Sequence, residues 1–163
     1  GKKLLFMGGE FGARAEWNHE QELDWAEASG TDNAGVTRWV TDLNRLMRDN
    51  AALHEKDSDP SGFQWVVGND DANSVYAFLR FDNSGNPLLF VANFTPVVRH
   101  DYRLGVPGNS DWMEVLNGDD LRYGGSGIVN AGTLSSAPEA SHGFDRSIAV
   151  TVPPLTGIFL KPS

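Results

Sequence analysis

Cysteine is absent from the 163 residues. That excludes disulfides and thiolate-held metals, and it fits the reducing cytoplasm, where we expect the chain on this ground. Basic residues are few: 13 Lys and Arg stand against 22 Asp and Glu, a formal net charge of -9. A phosphate backbone or an anionic membrane surface wants clustered cations, so neither nucleic acid nor membrane is an expected partner. A neutral ligand suits the charge better. No apolar run approaches the ~20 residues that span a bilayer, and no charged stretch leads into an apolar one as a secretory signal would. Histidine is scarce too. His19, His54, His100 and His142 show no helical pairing and no facing acidic cluster, so no metal site is expected. What is present is 40% hydrophobic, enough for a folded domain with its own core.

Two periodicities divide the chain. Leu4, Leu5, Phe6 and Met7 form a continuous apolar run that stops at Gly8-Gly9. Such a run reads as a strand buried on both faces of a parallel sheet. A long polar loop follows. Val36, Trp39, Val40, Leu43, Leu46 and Met47 then recur at helical spacing and predict a helix over 34–49 with one apolar stripe. Trp39 belongs to that stripe and reads as packing. Thr31, Asp32 and Asn33 offer capping oxygens at its start, and Arg45 and Arg48 suit its end.

From Phe63 the period falls to two. Strands are predicted at 63–67, 74–82, 88–94, 99–106, 111–117, 146–152 and 155–161, with turn residues Asn83 to Pro87 making a hairpin of the second and third. Residues 117–145, rich in Gly, Asn and Ser, read as a long loop. The expected fold is mainly β: an antiparallel Greek-key sandwich of about seven or eight strands with an N-terminal strand-loop-helix appendage. Val75, Leu79, Phe90, Val91, Phe94, Ile148, Val150 and Phe159 are the expected core. A parallel-type strand needs neighbours on both sides and helices over its faces. The expected domains are therefore 1–54, the tail of a larger α/β domain whose earlier strands lie outside the chain, and 55–163, an all-β domain. The orphaned segment 3–8 is expected either to fold back on the Trp39 and Leu43 face or to pair with the same segment of a second copy.

The stretches "KLLFMGGEFG", "EWNHEQELDW", "GVTRWVTDLNRLMRDNAALHEKDSDPSGFQW", "VANFTPVVRHDYRLGVP", "EVLNGDD" and "YGGSG", in this order, resemble the C-terminal part of bacterial 1,4-α-glucan (glycogen) branching enzymes. These belong to the α-amylase superfamily. The resemblance runs over nearly the whole chain. It implies a catalytic (β/α)₈ barrel followed by an antiparallel β-domain, with 3–9 as barrel strand eight, 10–33 as the loop after it and 34–49 as the eighth helix. Active sites of such barrels lie in the loops after the strands. It further implies a glycosyltransferase that acts on glycogen or amylose, needs no cofactor, and forms α-1,6 branches from α-1,4 chains. The missing barrel of the same polypeptide is then a partner of this chain. A related α-glucan hydrolase or trehalose-forming enzyme is the alternative reaction. A carbohydrate-binding or structural module is the alternative class.

Retaining glycosyl transfer needs a nucleophile and a general acid about 5–5.5 Å apart. The loop offers Glu10, Glu16, Glu20, Glu22 and Asp24. The resemblance places the transfer carboxylates on barrel strands four, five and seven, so no catalytic residue is expected here and the isolated chain should be inactive. It also makes Asn18-His19-Glu20 a decoy of the superfamily's His-Asp motif. Glu10, just past the strand end, is the candidate for a glucan hydroxyl or for a neighbouring loop. The competing reading is a buried acid paired with a barrel Arg. Trp17 and Trp25 are candidate stacking surfaces for pyranose faces, against a reading as loop anchors. Gly8 to Gly12 lack the spacing that cradles a pyrophosphate. Tyr123 to Ile128 miss the nucleophile elbow because Ile128 stands where the final Gly belongs.

Overall fold

The computed structural model describes residues 3–163. The period-two pattern becomes eight strands: β1 (Phe63–Asp70), β2 (Val75–Phe81), β3 (Pro87–Asn93), β4 (Arg99–Val106), β5 (Trp112–Asn117), β6 (Thr133–Leu134), β7 (Arg146–Val152) and β8 (Thr156–Pro162). They form a six-stranded sheet in the order β1-β2-β3-β8-β5-β6 and a two-stranded sheet β4-β7. Pairing is antiparallel throughout. Moving β4 and β7 to the second layer lets β8 enter between β3 and β5. The core lies between the layers, as in other sandwiches.

Register decides which apolar residues reach that core. Ala77, Val91 and Ile158 are opposite one another across β2, β3 and β8, and all are fully buried. The next row, Phe78, Phe90 and Phe159, faces the other way. Side chains alternate along a strand, so Phe90 and Phe159 cannot share a face with Val91 and Ile158. Of the expected core, Val75, Leu79, Val91, Ile148 and Val150 are 0% exposed. Phe90 and Phe159 are instead half-buried on the outer face, and Phe94 is exposed. Phe94 lies just beyond the end of β3, where the ladder no longer holds it inward.

Two helices precede the sandwich, α1 (Trp25–Ala28) and α2 (Thr31–Asp49). Asp24 caps α1 by accepting from Glu27 N at 3.0 Å. α2 begins three residues earlier than the predicted helix, and its N-cap is Gly30, without a side-chain cap bond. The expected capping role of Asn33 is not realised. Its amide donates to the carbonyls of Phe11 (2.9 Å) and Gly12 (3.2 Å) and so ties the preceding loop to the helix.

The segment expected as a strand, residues 3–8, forms none. Gly9 N bonds back to Phe6 O at 2.8 Å, and a turn follows over 7–12. Among the described residues no strand lies beside it, and a strand without a ladder leaves its polar backbone unpaired. Of the face expected to receive it, Leu43 lines a cavity beside the segment and Trp39 does not, and Leu4 to Met7 stay 53–85% exposed. Leu4 and Leu5 face Leu43 and Met47 across a cavity of about 350 Å³. Trp39 is engaged elsewhere, edge-on to Tyr123 at 5.1 Å.

The stretch 117–145 holds more than loop. A 3₁₀ turn, Leu121–Tyr123, seats α2: the Tyr123 hydroxyl donates to Asp42 Oδ2 at 2.6 Å, and Arg38 Nε donates to Arg122 O at 2.7 Å. β6 comes from the same stretch.

Candidate functional site

The loop between residue 7 and α1 is built on a turn that needs glycine at one point. Gly8 has φ +88°, a region that L side chains rarely adopt, and an added Cβ would stand 2.8 Å from Ala13 Cβ. Phe11 next to this turn is 2% exposed and plugs the loop from beneath. Asn33 holds the carbonyls of Phe11 itself and of Gly12. The loop is therefore anchored at its base, while its outer edge stays open.

Glu10 is half-buried, and its carboxylate accepts from Gly8 N at 3.1 Å. It organises its own turn. Trp17 is 44% exposed and meets Phe6 edge-on, with ring centres 5.3 Å apart. Trp25 is 58% exposed and lies 5.9 Å from Phe11. A shallow depression of about 500 Å³ runs along Phe6 to Gly9 and Ala13 to Trp17. Trp17 borders it, with Arg14 and Glu16; Glu10 and Trp25 do not. Of the three residues singled out, Trp17 is the one that lines this depression. Arg14 is steered by Glu27, which accepts from its backbone N at 3.2 Å.

Elsewhere the polar clusters are structural. Asp119 accepts from Ser126 N, Ser126 Oγ and Ile128 N at 2.9, 2.6 and 2.9 Å. Ser126 is thus a donor to a carboxylate inside a tight loop, which explains why the Tyr123 to Ile128 stretch only imitates a nucleophile elbow. Asp57 joins Lys3 (2.7 Å) and Arg80 (3.1 Å) between the N-terminal segment and β2. The Lys3 ammonium first, and Arg80 after it, hold the Asp57 carboxyl down at about 2 against the cost of desolvation. Burial pushes Glu114 up, opposed by Asn130 and Asn117. Among the described residues no group of three or more His, Asp or Glu side chains could hold a metal ion. No described helix is long and apolar enough to cross a membrane.

One surface feature escaped the sequence reading. The outer face of the six-stranded sheet carries rings from β1, β2, β3 and β8 in contact with one another. Its signal was present: in β2 and β3 both parities are largely apolar, which marks a sheet covered on both faces.

The architecture is that of an antiparallel β-sandwich carrying a short helical unit at its N-terminal side. Residues 65–163 match the family described as alpha amylase, C-terminal all-beta domain, and the chain belongs to that family. It is also similar to longer proteins named 1,4-alpha-glucan branching enzyme GlgB. The protein from Pseudomonas syringae pv. syringae (strain B728a) is 54% identical over 162 residues, 99% of this chain and 22% of that one. The protein from Aromatoleum aromaticum (strain EbN1) is 52% identical over 162 residues, 99% of this chain and 26% of that one. The one from Pseudomonas putida (strain KT2440) is 53% identical and takes in 100% of this chain, so the likeness includes the loop and α2 before residue 65. The chain spans about a fifth to a quarter of the length of these relatives. Among solved structures, the Group B Streptococcus pullulanase SAP matches 87% of this chain and 18% of its own, with a TM-score of 0.53 at 15% identity. That likeness is one of fold.

Proposed function

We propose that this chain is the C-terminal part of a 1,4-α-glucan branching enzyme. Such an enzyme cuts an α-1,4 chain through a covalent glycosyl intermediate and passes it to a 6-hydroxyl, making an α-1,6 branch in glycogen. The observation that carries the reading is the likeness to proteins of that name, about half identical along essentially the whole chain. Residues 1–54 are the tail of the catalytic barrel and 55–163 the C-terminal β-domain. The chain itself supplies no transfer carboxylate. Its loop lines the glucan cleft: Trp17, open beside a depression, offers a ring to a pyranose face, and Trp25 offers a second, separate one. Glu10 shapes the turn that presents them and reaches a sugar hydroxyl or an adjoining loop. The substrate is a neutral α-glucan, in keeping with a net charge of -9, and the absence of cysteine favours the cytoplasm.

The test is an exchange. This chain replaces the stretch of the Pseudomonas syringae relative that it matches, 22% of that protein, and amylose branching is followed by the iodine spectrum. The exchanged enzyme should branch, and Trp17→Ala within it should raise KM for amylose several-fold. The isolated chain should leave amylose unchanged. Turnover by the isolated chain that Glu10→Gln abolishes would return the chemistry to this loop and refute the reading.

A further inference from the structure

At Asn117-Gly118 an asparagine is followed by a glycine, and the sequence holds no second such pair. Glycine has no side chain to hinder its own backbone nitrogen, so that nitrogen can attack the carboxamide before it. Gly118 N loses its proton and bonds to Asn117 Cγ, and the Cγ–Nδ2 bond breaks to release ammonia. Water then opens the cyclic imide at either carbonyl and leaves aspartate or isoaspartate. The reaction consumes only water, and it is one reason asparagine counts as thermolabile.

Packing demands the glycine. A Cβ on residue 118 would stand 2.1 Å from Thr156 Oγ1 and 3.4 Å from the Trp39 ring. The joint between β5, β8 and α2 therefore creates a labile pair, and the same joint closes it. Asn117 is 4% exposed. Its Nδ2, the leaving group, donates to Glu114 Oε1 at 2.9 Å and to Ile128 O at 3.1 Å, and its Oδ1 accepts from Asp119 N at 2.8 Å. The nucleophile is committed as well: Gly118 N donates to Gly157 O at 3.1 Å. Ring closure must break these bonds, and a buried polar group gives up its partners only at a cost.

The product does not fit the same place. Nδ2 becomes an oxygen that faces Glu114 Oε1 and Ile128 O with no proton between them. Glu114 is held where it stands, because its Oε2 accepts from Asn130 N at 3.3 Å and from Asn130 Nδ2 at 2.7 Å. Asn130 is fixed in turn by a 2.8 Å bond each way with the backbone of Thr151. Asp119 and Asp120 follow directly in the chain, so the new charge enters a corner that is already anionic. Isoaspartate adds a backbone carbon where Asn117 pairs with Ile158. The loop that starts at Gly118 also carries the Leu121–Tyr123 seat of α2, so damage at its root reaches the helix.

We propose that Asn117-Gly118 is a self-modification site which the native fold holds shut, and that its deamidation makes prolonged unfolding of this chain irreversible. In the open chain the pair reacts freely. In the folded chain it waits on a local opening at the end of β5. A chain that has reacted cannot rebuild the joint between Asn117, Glu114 and Ile128, and it stays outside the native state.

The experiment incubates this chain at mildly alkaline pH, in buffer and in denaturing urea, and follows conversion of each asparagine by peptide mapping and mass spectrometry. Asn109-Ser110, exposed in the loop between β4 and β5, is the internal reference. In buffer Asn109 should convert before Asn117. In urea the order should reverse, with Asn117 converting at least tenfold faster than in buffer. Equal rates at Asn117 with and without urea overturn the proposal, and so does Asn117 outrunning Asn109 in buffer. The second measurement is refolding yield after increasing times in urea. It should fall in step with conversion of Asn117, and the fraction that refolds should retain the intact asparagine. Yield that stays constant while Asn117 converts, or converted chain among the refolded molecules in proportion to its abundance, overturns the irreversibility. Gly118→Ala combined with Thr156→Ala removes the labile pair and the 2.1 Å clash together, and it should hold its refolding yield over the same times. If this variant loses yield as fast as the wild type, the loss has another cause and the proposal falls. If the variant does not fold, the reversal of order and the fate of converted chain in the wild type decide by themselves.

Discussion

The two faces of the six-stranded sheet are both apolar, yet they do different work. The inner face is finished: Val75, Ala77, Leu79, Leu89 and Val91 are 0% exposed and packed against the second sheet. The outer face has larger side chains and less burial, with Trp65 and Phe94 more than half exposed. Hydrophobicity alone therefore does not mark the core. Closed packing does, because dispersion contacts and water exclusion both require partner atoms on every side.

The largest expected effect sets the faces against each other. Leu89→Ala should cost about 2–5 kcal/mol, since it empties a closed site. Tyr76→Ala, on the outer face of the adjacent strand, should cost less than about 1.5 kcal/mol, because its ring keeps much of its surface in water. Urea denaturation of the two variants measures both, and equal costs would erase the distinction between finished and unfinished faces.

The next effect concerns the joint between the regions. Gly35 on α2 lies against the backbone of Tyr123, and a Cβ there would stand 2.3 Å from its carbonyl oxygen. Helix propensity by itself favours alanine over glycine by about 1 kcal/mol. The clash should win, so Gly35→Ala should lower stability by roughly 1–3 kcal/mol as α2 lifts from its seat. A raised melting temperature would mean that the seat yields easily.

Acid should loosen the contact between the N-terminal segment and β2. Asp57 is held at about 2 by Lys3 and Arg80, below the roughly 3.9 of an unfolded aspartate. A depressed carboxylate contributes stability above its unfolded value and loses it as pH falls towards its folded one. The Asp57→Asn variant should therefore lack that part of the stability lost between about pH 4 and pH 2. Denaturation curves of both chains across that window, and amide exchange of residues 4–7, provide the check. Identical acid profiles would show that Asp57 does not clamp the segment.

The smallest effect sharpens the comparison from the other side. Trp25→Ala removes a ring that is 58% exposed, and it should change the stability of the isolated chain by no more than about 0.5 kcal/mol. A larger loss, seen by thermal melting, would make Trp25 an anchor of the loop rather than an open surface.

The strands and α2 were legible because alternation and helical spacing are local patterns, repeated often enough to outvote exceptions. The predicted strands 99–106 and 146–152 coincide with β4 and β7. Glu10 was legible as a notable residue but not in its contact, since its bond to Gly8 N depends on a turn closed by Gly8 and Asn33. The seat at Leu121–Tyr123 could not be seen in a Gly-rich stretch, because its partners Arg38 and Asp42 lie some eighty residues away.

By itself the sequence determined the all-β character from residue 63, the position of α2, the absence of thiol chemistry and the kinship with α-glucan enzymes. Each of these resides in composition, short-range period or ordered blocks of residues. Only the tertiary structure decided that Phe90 and Phe159 face outward, that residues 3–8 form no strand, and that the rings of four strands join into one surface. Those outcomes depend on register and on which neighbours are present, and a side chain's burial is a property of what packs against it.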